Sequence, residues 1–239
     1  MSQNNHQQGF TIIELSLAMA FISVLLVIIA TTIIFMSDTF TKGMTIRDLN
    51  QVGRSVVDDI RRTVADSSAI PADQIKTSGE SGFFCTGKFS YVWNLGTAIP
   101  TGEAPKASAY KYTDGGAIRF ARFRDVDGQI CRDLRSDKSD GEKYARLIRS
   151  NGLELLSQGD RDLVLGEFTI QEVASDSALG QGLYTIYMVV RTNDDTLFVE
   201  GLKQCKTPAQ AAGDENITSS LEYCAINEFS FIARAGSKT

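Results

Sequence analysis

The chain of 239 residues contains a single histidine, His6, which precedes its first long apolar run. If the segment carrying His6 is removed from the mature protein, no histidine remains. Ser-His-Asp and Cys-His catalysis, histidine-ligated zinc and histidine-based pH sensing would then be excluded. A Walker A pattern is also absent, so the chain has no phosphate-binding loop with which to drive ATP-dependent work itself.

Blocks of basic residues are absent too. The 24 Lys and Arg residues face 29 Asp and Glu residues, which gives a formal net charge of -5. Proteins that bind nucleic acid normally carry a basic patch or stripe. Nucleic acid is therefore a disfavoured partner, with a local groove left open as an alternative. The 43% of hydrophobic residues is nevertheless enough to bury a core.

The four cysteines form no C-x-x-C pair and all follow the apolar run. Zinc ribbons and thioredoxin-like sites need that close spacing, whereas disulfides tolerate wide separation. We therefore favour two structural disulfides in an oxidising compartment over free buried thiols. Three connectivities are open. The short loop between the last two cysteines favours Cys205–Cys224 together with Cys85–Cys131.

From Phe10 to Met36 the chain carries one ionisable side chain, that of Glu14. A helix over this stretch would reach about 40 Å, more than the roughly 30 Å hydrocarbon core of a bilayer requires. The AMA sequence at 18–20 is similar to a signal-peptidase site, but cleavage there would leave an apolar stub at the N-terminus. A membrane-spanning helix is therefore favoured over a removed secretory signal.

The helix is expected to continue beyond the apolar run as an amphipathic segment. Apolar residues recur there at steps of three and four among Asp, Arg and Gln, which predicts one face packed on a soluble domain. They are Met44, Ile46, Leu49, Val52, Val56, Val57, Ile60 and Val64. No proline precedes Pro71. We expect one helix from about residue 10 to 65, with Gly43 and Gly53 as positions where it bends.

The stretch QQGFTIIELSLAMAFISVLLVIIA resembles the N-terminus of type IV pilins and type II secretion pseudopilins. Members of that family have a short polar leader ending in glycine, then phenylalanine, a glutamate at the fifth mature position and a long apolar helix. The resemblance covers residues 9 to about 36. Two features depart from it: the leader MSQNNHQQ has no Lys or Arg, and Thr31 and Thr32 stand where many members have a proline.

This resemblance implies roles for three residues. Gly9 would precede the bond cut by the prepilin peptidase, and Phe10 would become the N-terminal residue and be methylated on its amine. Glu14 would align subunits during assembly. The implied partners are other pilins or pseudopilins, the prepilin peptidase, an inner-membrane platform with its ATPase, and membrane lipid before assembly. No catalytic residue, metal or cofactor is implied.

The resemblance also implies a location and a topology. The precursor would sit in the cytoplasmic membrane with its N-terminus inside and its C-terminus outside, and then enter a periplasmic or extracellular filament. The implied regions are a leader at 1–9, a membrane and filament-core half of the helix at 10–36, an amphipathic half at 37–65, and an extracytoplasmic β-rich head at 66–239.

Strands are predicted beyond the polar connection ADSSAIPADQIKTSGESG at 65–82. Alternation of apolar and polar residues recurs in several segments, and a turn at Asp125 to Gly128 is predicted to join two strands. A long helix on an antiparallel sheet of four or more strands is an α+β protein. The family resemblance implies that this is the pilin fold.

Three short motifs have plainer interpretations. SAYK at 108–111 matches the S-x-x-K nucleophile pattern, but it precedes a predicted strand and not a helix. DVDG at 125–128 has the start of a calcium loop without the later ligands, so a hairpin turn is favoured. The glycosylation sequon at Asn216 is a three-residue match that occurs often by chance, and we assign it no function.

Acidic and basic side chains are interleaved between residues 124 and 140, and we interpret them as a solvated face of mixed charge. They are Asp125, Asp127, Asp133, Asp137 and Asp140 with Arg124, Arg132, Arg135 and Lys138.

Together these features predict a non-enzymatic filament subunit. The length exceeds what a major pilin needs, which favours a minor pilin or a J-type pseudopilin. One alternative is the major pilin of such a filament. Another is a membrane-tethered binding module or enzyme whose helix is only an anchor. Glu14 argues against that alternative, because a plain anchor is expected to gain nothing from a carboxylate at this place.

Overall fold

The computed structural model describes residues 11–77, 79–136, 146–156, 162–176, 178–199, 201, 204–213, 217 and 220–236. Its first helix, α1, is Ile12–Ala65 and continues through Gly43 and Gly53. The predicted helix from about 10 to 65 agrees with these bounds, and residue 10 lies outside the described part of the chain. The chain divides into two compact units, Met1–Thr41 and Lys42–Thr239.

In the first unit, the described residues belong almost entirely to α1. Every residue from 11 to 40 is exposed. The stretch is long and apolar enough to cross a membrane, and none of its most apolar window is buried in the fold.

In the second unit, α1 buries one face. The buried residues are Thr45, Leu49, Val52, Gly53, Val56, Val57, Ile60, Thr63 and Val64. Steps of three and four between them are those of a helix stripe facing a single surface. The prediction was wrong at Ile46, which is 43% exposed. Thr45 occupies the buried position, one residue earlier, because a step of one residue rotates a side chain by about 100° around the helix.

Two antiparallel sheets follow. The first, called the five-stranded sheet, has the order β1-β2-β3-β4-β5, and the second, the three-stranded sheet, has the order β6-β7-β8. The strands are β1 Ile75–Lys76, β2 Ser81–Cys85, β3 Phe89–Asn94, β4 Phe120–Arg124, β5 Gly152–Glu154, β6 Leu163–Asp176, β7 Gln181–Thr192 and β8 Ile226–Ala235. The α+β class is confirmed, while the division into two sheets was not predicted.

A short helix, α2 (Gln129–Arg135), corrects the predicted hairpin at 125–128. The turn after β4 leads into this helix and not into another strand. Asp125 explains the change, because its carboxylate accepts hydrogen bonds from the backbone N–H groups of Ile130 and Cys131 at 3.0 and 2.8 Å. Those N–H groups belong to the first turn of a helix and have no partner within it.

One core joins the buried face of α1 to both sheets. Aromatic rings fill its centre: Phe84 stacks on Tyr91 with ring centroids 4.4 Å apart, and Trp93 meets Phe168 of the other sheet at the same distance. A second cluster lies between the five-stranded sheet and α2. The two sheets and residues 42–65 of α1 therefore fold as one body.

Candidate functional site at the start of the N-terminal helix

Glu14 lies in the first turn of α1, where it forms a reciprocal cap with Thr11. The Thr11 backbone N–H and hydroxyl both donate to Glu14 Oε2 at 2.9 Å, and the Glu14 N–H donates to Thr11 Oγ1 at 3.3 Å. This is a capping box, which satisfies N–H groups that a helix start otherwise leaves unpaired. The T-x-x-E spacing in the sequence is the signal that would have predicted it.

Because of this cap, Glu14 no longer distinguishes a filament subunit from a plain membrane anchor by its presence alone. A carboxylate here has a local use in any helix that begins at Ile12, including a plain membrane anchor. However, both Thr11 donors bond to Oε2. Within the described residues, the second oxygen, Oε1, accepts no hydrogen bond. One oxygen thus caps the helix while the other is available to a group from outside the chain.

Three hydroxyl side chains of the apolar stretch, those of Ser23, Thr31 and Thr32, bond within the helix. Ser23 donates to the Met19 carbonyl oxygen at 2.8 Å, and Thr32 donates to that of Ile28 at 2.8 Å. Thr31, at the place where many pilins have a proline, donates to the Ile28 carbonyl oxygen at 3.0 Å. Hydroxyls that bond back to their own helix can be surrounded by hydrocarbon without an unpaired donor.

The predicted cleavage site, Gly9 and Phe10, lies outside the described residues. So does His6. The predicted processing between Gly9 and Phe10 therefore stays a prediction.

The end of α1 is fixed to the five-stranded sheet by a polar cluster that the sequence did not reveal. Asp59 forms an ion pair with Arg122 and accepts a hydrogen bond from the Tyr91 hydroxyl at 2.8 Å. The hydroxyls of Tyr91 and Thr63 are also hydrogen-bonded. Burial and the nearby Asp59 charge raise the pKa of Tyr91 well above its usual value.

The cysteines are paired as the loop lengths favoured. Cys85 joins Cys131 and Cys205 joins Cys224, and the described residues contain no free cysteine. The first disulfide ties β2 to α2. The second lies beside a small cluster around Leu197 and Phe198. Closed loops of this kind stabilise secreted domains and persist in oxidising compartments.

The mixed-charge interpretation of residues 124–140 was wrong at two positions. Asp125 is 3% exposed and Asp133 is 6% exposed. Asp125 accepts the Ser90 hydroxyl in addition to the two helix N–H groups, and Asp133 pairs with Arg146 at 2.8 Å. Carboxylates with several donors can be buried. Asp137, Lys138 and Asp140 lie outside the described residues.

The other motifs have structural roles or none. In SAYK, Ser108 lies in a turn and Lys111 forms an isolated bridge with Ala117, so no helix starts there. Asn216 of the sequon lies outside the described residues. Among the described residues, no group of three or more His, Cys, Asp or Glu side chains is placed to hold a metal ion.

Arg191 is a buried cation that sequence reasoning missed. Its guanidinium lies 2.7 Å from Asp195, 5.1 Å from the Phe198 ring centroid, and against Gly96, where an added Cβ would come within 2.3 Å of Nη2. Gly96 follows β3, so this contact joins the end of the five-stranded sheet to β7. Nothing in the alternation of β7 distinguishes this arginine from an exposed one.

Comparison of the chain with known protein families, with curated proteins and with solved structures finds no match.

Proposed function

We propose that the protein is a structural subunit of a type IV pilus-like filament. Prepilin peptidase would cut between Gly9 and Phe10, and the N-terminal helix would then enter the filament core with Glu14 aligning neighbouring subunits. The size of the head favours a minor pilin or a pseudopilin, with a major pilin as the alternative. The observation that carries the proposal is an apolar half-helix with no buried residue that bears a carboxylate in its first turn.

The exposed half of α1 needs a covering. Burial of a Leu or Ile side chain contributes about 1.5–3 kcal/mol, and more than a dozen large apolar side chains of this segment are exposed. Lipid would cover them in the membrane. In a filament, the helices of neighbouring subunits would cover one another, so the burial would be retained when a subunit leaves the bilayer.

Glu14 would act in both states. In the isolated subunit its Oε2 caps α1 through Thr11. In the filament its Oε1 would bind the α-amine that cleavage creates on Phe10 of a neighbouring subunit. The pair would be buried among apolar helices, where a charge is costly unless it is matched. Only a subunit placed at the correct height along its neighbour would satisfy it.

Substitutions at Glu14 separate assembly from capping. Glu14→Gln removes the charge but keeps a side chain that completes a capping box, whereas Glu14→Ala removes both. We expect both variants to be processed and membrane-bound but to be lost from sheared filaments by at least about tenfold, a loss of roughly 1.4 kcal/mol or more for the ion pair. Immunoblots of filament and membrane fractions measure this. Ser16→Ala, on the same exposed segment, is the control.

Normal incorporation of Glu14→Gln together with poor incorporation of Glu14→Ala would show that the cap is the whole role of the residue. The assembly proposal would then be rejected.

Mass spectrometry of the mature protein tests the processing step. We expect an N-terminus at Phe10 that carries one methyl group. An intact Met1 would contradict the prepilin assignment. A terminus near Ser23 would instead indicate a removed secretory signal. If the processing holds, the abundance of the chain in sheared filaments distinguishes a minor from a major subunit.

A further inference from the structure

The two sheets differ in how their edges are closed. The edges of the five-stranded sheet are β1, with two residues, and β5, with three. The edges of the three-stranded sheet are β6, with 14 residues, and β8, with 10. Proteins usually shorten or cover edge strands, because a long open edge is a template for pairing with another chain. Leu165 of β6 already forms a parallel bridge with Leu95. The three-stranded sheet therefore presents two candidate interaction edges, β8 and the part of β6 beyond this bridge.

Alternation along β8 identifies the backbone groups of its open edge. The Thr192 N–H of β7 bonds to the Ala225 carbonyl oxygen, so the backbone N–H and C=O groups of odd-numbered residues here point toward β7. On the opposite side, the Gly236 N–H bonds to the Ser67 carbonyl oxygen. The backbone groups of even-numbered residues therefore point away from β7. Of these, Ser230, Ile232 and Arg234 have backbone groups that pair with nothing in the described part of the chain.

A groove runs between this edge and α1. It has a volume of about 410 Å³ and is lined on the helix side by Arg54, Val57, Asp58 and Arg61, and on the strand side by residues 228–231. The Arg61 guanidinium lies 5.2 Å above the ring of Phe231. Neither Arg54 nor Arg61 forms an ion pair with a described residue. The groove thus offers unpaired cations next to unpaired backbone groups.

The C-terminal half of β6 carries acidic side chains, which complement the arginines of the groove. Residues 171–176 are all exposed. The strand contains Glu167, Glu172 and Asp176 and has no Lys or Arg. Glu172 is paired in register with Tyr184, whose ring lies in the core shared with α1. Its side chain is therefore on the face of the sheet that α1 covers, which is the face where Arg61 lies.

We propose that the β6 edge of one copy adds to the β8 edge of a second copy of this chain and extends the three-stranded sheet from one head to the next. The strand order β6-β7-β8 is antiparallel throughout, so β6 and β8 run in the same direction. A copy related by translation brings β6 beside β8 as a parallel pair, and α1 then runs the same way in both copies.

Self-pairing of β8 would give a different arrangement of the copies. Two β8 strands that share one sheet face and pair antiparallel would reverse the direction of α1 between the copies. The translated copy instead keeps one direction for residues 42–65 of α1. The β6-to-β8 contact is heterologous, so it repeats from copy to copy and does not close after two.

The register follows from the faces of the two strands. Glu172 of the second copy lies beside Phe231, beneath Arg61. The β-bulge at Val173 changes the phase of β6, which places Ala174 of the second copy opposite Ile232. Asp176 of the second copy then lies opposite Arg234. Two opposite-charge pairs and a short run of backbone hydrogen bonds define the contact.

Cysteine cross-linking of the full chain in membranes tests the contact. Ala174→Cys and Ile232→Cys in one chain place exposed thiols on opposite edges of the same sheet face. After mild oxidation we expect dimers and higher multimers on a non-reducing gel. The control is Ala174→Cys with Val126→Cys, which also pairs two exposed positions and is expected to remain monomeric. Multimers in neither chain, or equally in both, overturn the proposal, and so does cross-linking only to a different protein.

Charge reversal tests the register. Arg61→Glu and Glu172→Arg are each expected to lower the cross-linked fraction by about fivefold, and the double variant is expected to restore it. Arg62→Glu, on the neighbouring exposed position outside the groove, is the control and leaves the fraction unchanged. Failure of the double variant to recover overturns the pairing of these two residues.

This contact concerns the head and does not rest on Glu14 or on cleavage. If Glu14→Gln incorporates normally while the head cross-links form, only the assembly role of Glu14 fails. If filaments form without the cross-links, only the sheet contact fails.

Discussion

The two halves of α1, residues 12–41 and 42–65, form one continuous helix but differ in burial. Ile28 is 60% exposed, whereas Ile60 is fully buried. The first half is apolar on every side, and the second is apolar on one face with charges on the others. A helix that is apolar all round requires a surrounding apolar medium, whereas an amphipathic helix requires a single wall. Composition and burial thus agree in separating the half that has no buried residue from the half that belongs to the core of the head.

Polar side chains show the same contrast. In the first half they bond within the helix, as Glu14 does to Thr11 and Ser23 does to Met19. In the second half they reach other elements, as Asp59 does to Arg122. These polar groups of the first half need no partner on another element. The second half is held in a defined position by partners on the sheets.

Matched isoleucine substitutions should produce the largest difference between the halves. Ile60→Ala removes a fully buried side chain from the shared core and should lower the free energy of unfolding of the head by about 2–5 kcal/mol. Ile28→Ala should change it by less than about 0.5 kcal/mol. Urea unfolding in detergent micelles, followed through the fluorescence of the buried Trp93, measures both. Equal losses would show that the first half also supports the head.

Much of this division can be predicted from the sequence. The length of the apolar run, the change to steps of three and four, and the absence of proline before Pro71 predict α1 to within two residues of its described start. The stripe was displaced only at Ile46, where neighbouring apolar residues left the phase of the helix open. The disulfides follow from loop length.

The rest depends on contacts between distant residues. Asp125 was assigned to a solvated face because its neighbours are charged, but folding surrounds it with three donors. Asp59 and Arg122 are 63 positions apart, and no local pattern joins them. The Thr11 cap is the exception, because the three-residue spacing of Thr11 and Glu14 is visible in the sequence.

The two glycines of α1 provide a second, smaller comparison. Gly53 lies against Phe229, and an added Cβ would come within 2.2 Å of that ring, whereas at Gly43 nothing lies within 4 Å. Gly53→Ala should therefore destabilise the head by about 1–3 kcal/mol through overpacking. Gly43→Ala should stabilise the helix by up to about 1 kcal/mol. Thermal unfolding followed by circular dichroism measures both, and a gain in both variants would show that Phe229 moves aside without loss.

The burial of Tyr91 beside Asp59, where the second half of α1 meets the sheet, predicts a pH dependence of the head. The Tyr91 pKa is raised in the folded protein, while an unfolded tyrosine has a pKa of about 10. Below pH 10 both states hold the proton, so stability is unaffected. Above pH 10 the unfolded chain loses the proton first, and the free energy of unfolding should fall by up to about 1.4 kcal/mol per pH unit for this residue.

Tyr91→Phe isolates that contribution. The variant should lose the hydrogen bond to Asp59 and be less stable at pH 8, by about 1 kcal/mol, but its stability should fall less steeply above pH 10. Tyr112, whose pKa burial and Glu154 also raise, would account for part of the remaining slope. Tyr223→Phe, at an exposed ring, is the control. If Tyr91→Phe and the unaltered chain lose stability in parallel from pH 9 to 11, the Tyr91 hydroxyl titrates as freely in the folded head as in the unfolded chain, and Asp59 fixes α1 to the sheet through Arg122 alone.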